Sequence, residues 1–99
     1  MNKIYKIVLH TDIGERIGKL KVSVVGGKLK GMLYLLGKET ECEGTVDQSG
    51  KCQLFGTLKT LTNQWSYKAT GYLKSTGVFL TLKYKTHVYR VEGCPCDNS

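Results

Sequence analysis

A single proline in 99 residues, two arginines (Arg16 and Arg90) among fifteen basic residues, and two histidines set the first limits on this chain. With 40% hydrophobic and 23% charged residues, so little proline excludes a collagen-like or proline-rich disordered polymer. No apolar run approaches the roughly 18 residues of a membrane helix. Met1 to Lys6 also lacks the long apolar core of a secretion signal. The expectation is a soluble, cytoplasmic protein with no membrane partner, folded as one domain over residues 1–95 with a frayed tail at 96–99.

Catalytic patterns are missing too. There is no Gly-x-Ser-x-Gly elbow, no phosphate-cradling glycine loop and no His-Glu-x-x-His, so a non-enzyme without a cofactor is expected. Cys42, Cys52, Cys94 and Cys96 read as reduced thiols rather than a disulfide framework. Cys94-Pro95-Cys96 falls short of a four-ligand zinc site, and no metal is assigned.

What the chain has is alternation. Apolar and polar residues alternate over Lys3–His10, Glu15–Val25, Lys28–Leu36, Cys42–Asp47, Lys51–Leu61, Trp65–Lys74, Gly77–Lys85 and Val88–Cys94, the pattern of half-buried strands. Gly26-Gly27 signals a two-residue hairpin, pairing Val24 with Leu29. Asp47 to Lys51, with Gly50 in the left-handed position, signals a three-residue loop that pairs Val46 with Cys52. Short loops make sequential strands antiparallel neighbours. The predicted fold is therefore an all-β, up-and-down meander of about eight strands closing into a small barrel, with an open bent sheet or a sandwich as the alternative.

A Gly-x-apolar unit recurs at Gly18, Gly31, Gly44, Gly56 and Gly71. Glycine within a strand gives up packing, and the compensation expected here is curvature. The repeat resembles the strands of avidin-type and calycin-type meander barrels. That likeness is one of architecture: their ligand-binding motifs are absent, and no residue role is carried over.

Flat pairing places Ile7, Gly18, Leu35, Cys42, Gly56, Tyr67, Tyr84 and Tyr89 in one inward row, with Trp65 at the same end. An eight-stranded barrel can hold a small ligand in its mouth, and Tyr and Trp combine an apolar body with a polar tip. The first functional expectation is a small apolar or aromatic molecule held by Trp65, Tyr67, Tyr84 and Tyr89, with His10 and His87 on adjacent hairpin loops.

On the outside, Phe55, Lys68, Lys83 and Arg90 fall in one row and Gln53, Thr70, Thr81 and Glu92 in the next, with Tyr72 opposite Phe79 and Cys94 beyond. Cations interleaved with exposed rings suit single-stranded nucleic acid or another anionic polymer, and also an acidic protein surface. The net charge of +7 favours such partners. A third expectation is a homo-oligomer, formed through the first strand as an open edge or through exposed Met32, Tyr34, Leu36, Tyr72 and Phe79.

Overall fold

The computed structural model describes residues 2–12, 14–35, 37–59 and 63–96. Eight strands follow in chain order: β1 (Asn2–Thr11), β2 (Gly14–Val25), β3 (Lys28–Leu35), β4 (Lys38–Val46), β5 (Lys51–Lys59), β6 (Gln64–Lys74), β7 (Gly77–Tyr84) and β8 (His87–Pro95). Each pairs antiparallel with the next, and β8 returns to β1, which closes the barrel. No helix among the described residues is long and apolar enough to cross a membrane. The expected ends of the third and fifth strands, Leu36 and Leu61, lie outside the described residues, as does the tail beyond Cys96.

Closure settles the choice between barrel and open sheet. It also removes the first strand as an edge, because β1 pairs with β2 on one side and with β8 on the other from Tyr5 to His10. Strand addition between copies at β1 therefore has no free ladder there to join.

Both turn readings are borne out. Gly26 and Gly27 have φ of 58° and 80°, and Val24 faces Leu29. In the second turn Gly50 has φ 91° and Val46 faces Cys52. The Asp47 carboxylate accepts hydrogen bonds from the Ser49 hydroxyl, Ser49 N–H and Lys51 N–H at 2.6–3.1 Å. Those bonds, the Ser49 hydroxyl foremost, hold its pKa below the usual carboxylate value.

Two hairpin registers differ from the flat pairing, and the β8–β1 seam, which sets Ile7 opposite Gly93 and not level with Tyr89, is a third. On β3 and β4, Leu35 faces Lys38 and Cys42 faces Gly31, where the rows above set Leu35 opposite Cys42. The strand starts earlier than expected, after Gly37 at φ 75°, and its first inward side chain is the buried Thr40. On β7 and β8, Tyr84 faces His87 across a turn in which Lys85 takes φ 51°. Lys83 therefore faces Val88, Thr81 faces Arg90 and Phe79 faces Glu92, while Cys94 faces Lys6. Taken once round the sheet, the registers return to β1 displaced by ten residues. A fixed stagger of this kind is what strand tilt in a closed barrel requires.

The repeat glycines have a steric reason. At Gly31 and Gly44 a Cβ would run into the carbonyl oxygens of Lys21 and Gln53 on the neighbouring strands, so the sheet coils there as tightly as a missing side chain permits.

The interior is packed. Tyr5, Ile7, Leu20, Leu29, Leu54, Val78 and Cys52 are almost fully buried. Toward the end that carries the chain termini, the Tyr5 hydroxyl donates to the Lys74 carbonyl at 3.0 Å. Among Ile7, Leu33, Leu54, Tyr67, Leu82 and their neighbours remains a cavity of about 20 Å³, room for about one water molecule. Eight strands give an interior that side chains just fill, and here they do.

Candidate functional site

Alternation fixes what each strand shows to solvent. On β5 through β8 the outward residues form three cross-strand rows. The first is Phe55, Lys68, Lys83 and Val88; the second is Gln53, Thr70, Thr81 and Arg90; the third is Lys51, Tyr72, Phe79 and Glu92. Thus the structure brings Phe55, Lys68 and Lys83 together as expected. Arg90 joins the adjacent row, because the tighter β7–β8 turn slides β8 by two residues.

The rings on this face are open to solvent: Phe55 is 45%, Tyr72 44% and Phe79 52% exposed. Lys68 Nζ lies 5.8 Å from the centre of the Phe55 ring, and Lys74 Nζ lies 5.3 Å from that of Tyr72. An ammonium over a ring face is drawn by the ring quadrupole. The same flat, electron-rich faces stack nucleobases.

Carboxylates are scarce across these rows. The outward residues named above include one acid, Glu92, whose carboxylate is 3.2 Å from His10 Nε2. His10 Nδ1 is 3.2 Å from Glu15, so the ring contacts two acids on two neighbouring strands. The acidic residues Glu39, Glu41 and Glu43 stand on β4, where Glu43 faces Phe55 and bounds the basic rows.

The barrel end carrying the β1–β2, β3–β4, β5–β6 and β7–β8 turns holds the aromatic group. Tyr84 stacks on Trp65 with centroids 5.3 Å apart and on His87 at 5.0 Å, and lies 5.7 Å from Tyr89. The Tyr84 and Tyr89 hydroxyls are 3.4 Å apart. That contact, with some burial and the nearby Asp12, pushes the Tyr89 hydroxyl up to about 12. Trp65, Tyr84, Tyr89 and His87 are therefore assembled as the sequence suggested. Tyr67 and His10 are not part of the assembly. Tyr67 is buried, with its hydroxyl close against Gly56 and hydrogen-bonded to the Cys42 thiol. His10 is a strand residue on the outer wall, turned away from the rings. Below the rings lies the packed core, so a molecule bound at this end would rest on the rim and not within the barrel.

Cys42 and Cys52 are buried, and burial pushes both thiols up to about 11, which leaves them poor nucleophiles. No group of three or more metal-ligating side chains occurs among the described residues.

One surface feature escaped the sequence reading. A groove of about 740 Å³ runs over β1, β2 and β3 at the end carrying the chain termini, lined by Lys3, Ile4, Lys21, Lys30 and Met32 with Pro95 and Cys96 as one wall. The alternation shows Ile4, Lys21, Lys30 and Met32 as outward, whereas Lys3 falls in the inward register of Tyr5 and faces the buried Val22. The grouping of Ile4, Lys21 and Met32 follows from the β1–β2 and β2–β3 registers; the wall at Pro95 and Cys96 comes from the β8–β1 seam, which pairwise turn chemistry does not supply.

No family model, no curated protein and no solved structure matches this chain.

Proposed function

We propose that the protein is a non-catalytic binding module that holds single-stranded nucleic acid on the outer face of β5–β8. The observation that carries this reading is the set of three exposed rings, Phe55, Tyr72 and Phe79, in register among Lys51, Lys68, Lys83 and Arg90. Bases stack on the rings while the flexible ammonium groups neutralise phosphates without a fixed geometry. With one arginine on the face, recognition is of charge and stacking, not of sequence. The row of Phe55 and the row of Tyr72 and Phe79 stand four residues apart along β6, about 13 Å, with Gln53, Thr70 and Thr81 between them as hydrogen-bonding groups.

The test is fluorescence anisotropy with a labelled oligothymidylate across a salt series. Each phosphate neutralised contributes about 0.7 to the slope of log K against log salt for a single strand. Lys68→Gln with Lys83→Gln should therefore lower the slope by about 1.4. Loss of a stacking ring, as in Phe55→Ala, should cost about 1–3 kcal/mol. Affinity indifferent to salt removes the proposal, and tighter binding to an acidic peptide than to the oligonucleotide reassigns the face to a protein partner.

A second reading rests on the stack of Trp65, Tyr84, His87 and Tyr89, whose exposed edge is a platform for a small aromatic molecule. Saturable quenching of Trp65 emission, lost on Tyr84→Ala, supports it. Quenching unchanged by that substitution counts against it.

A further inference from the structure

We propose that the groove over β1–β3 is a second binding site, for a single-chain amphiphile with a phosphate or carboxylate head group. It lies away from the β5–β8 rings and does not depend on the nucleic-acid reading. Two cross-strand rows build it: Ile4, Lys21 and Met32 in one, Asn2, Ser23 and Lys30 in the other. All six side chains point outward. Ile4 and Met32 supply a half-buried apolar floor. Lys21 and Lys30 stand on adjacent rows, with Ser23 directly opposite Lys30, and Lys3 lines the same groove. The wall at Pro95 and Cys96 is fixed by the Cys96 N–H, which donates to the Ile4 carbonyl at 2.8 Å.

Charge points to the ligand. None of the three lysines is in an ion pair among the described residues, and no carboxylate lines the groove among them. The unpaired ammonium groups of Lys21 and Lys30 beside apolar surface leave a site short of one thing, an anion with an apolar body. At about 740 Å³ the groove falls within the range of small-molecule sites, roughly 300–1,000 Å³.

Its ends argue for a small ligand over a polymer. Pro95 and Cys96 stop it on one side. On the other, Met32 faces Glu41 and Lys30 faces Glu43, so a polyanion running on across β3 would meet two carboxylates. A short anion stops before them.

The chain has two methionines, so methyl-labelled methionine gives an NMR spectrum in which Met32 reports the groove directly. The probe is decyl phosphate below its micelle concentration. The expected result is a saturable shift of the Met32 methyl, with affinity at least 10-fold weaker for Lys21→Glu with Lys30→Glu, and at least 10-fold weaker for inorganic phosphate or decanol alone. Both lysines are exposed; should the charge reversal disturb folding, Lys21→Gln with Lys30→Gln is read by the same criterion. An unmoved Met32 methyl, or equal affinity in the lysine variants, overturns the proposal. Saturation with phosphatidylglycerol vesicles but not with the monomeric probe overturns it as well, since the groove would then serve a membrane surface.

Discussion

Gly93→Ala puts a methyl group into the seam that closes the barrel. Gly93 sits on β8 between Ile7 of β1 and Val78 of β7. A Cβ there would lie 2.6 Å from the Lys6 carbonyl oxygen, 2.7 Å from Ile7 Cγ2 and 3.0 Å from Val78 Cγ1. Ile7 and Val78 are fully buried, so neither can swing aside into solvent. At a strand position with room, replacing glycine by alanine stabilises a protein by about 0.4–1 kcal/mol through the unfolded chain. Overpacking a filled core costs about 1–3 kcal/mol. Three contacts at once, one of them to backbone, put this site at the upper end, for a net loss of about 2 kcal/mol. In a domain of this size that lowers Tm by about 8–16 °C. Thermal unfolding followed by near-ultraviolet circular dichroism, with urea titration alongside, measures both quantities. The sign decides the matter: a Gly93→Ala protein as stable as the parent, or more so, refutes the close approach of β8 to β1. Val78→Ala provides a second check, because the added methyl should cost less beside the shortened side chain.

The thiols and the aromatic end give further expectations. At pH 8 a disulfide reagent should react promptly with Cys94 and Cys96 in the native protein, and with Cys42 and Cys52 only on unfolding. The buried pair also makes stability depend on alkaline pH. Both thiols stay protonated in the folded chain to about pH 11, whereas unfolded they ionise near pH 8.5. Stability is thus complete below pH 8.5 and falls as pH rises toward 11; the Cys42→Ala, Cys52→Ala protein should show a shallower decline, and an equal decline would contradict the assignment. Tyr84→Ala removes the ring that touches Trp65, His87 and Tyr89. It should cost about 2 kcal/mol and move Trp65 emission to the red, and emission unchanged in position would sink the stack.

Where the chain used conspicuous turn residues, the sequence was readable. Gly26-Gly27 and Asp47 to Gly50 declare their turns, and the registers they imply for β2–β3 and β4–β5 are those of the structure. The two hairpin registers that differ from the flat pairing lack such a signal. Lys38-Glu39-Thr40-Glu41 is polar at every position, so Thr40 standing in for an apolar residue on the inward face hid the start of β4. Lys85 takes a left-handed conformation that glycine or asparagine normally announces, and with lysine there the β7–β8 turn looked longer than it is. The β7–β8 shift moves Arg90 one row away; the two hairpin shifts and the β8–β1 seam together carry the stagger of the barrel, and it is the seam that brings Pro95 and Cys96 beside Ile4 to wall the groove of Lys21, Lys30 and Met32. His10 illustrates another limit. His10 ends the alternating segment Lys3–His10 beside a turn, and its pairing with Glu15 and Arg90 shows that it stays in the strand and faces outward, away from the turn end.

Photo-crosslinking tests the central claim most directly, because it reports where a base lies and not merely that something binds. Short-wavelength irradiation of the protein with an oligothymidylate, followed by peptide mass spectrometry, should place crosslinks on Phe55, Tyr72 and Phe79. Crosslinks confined to Trp65, Tyr84 and Tyr89 at the barrel end, or binding with no adduct on β5–β7, would contradict the assignment of that outer face.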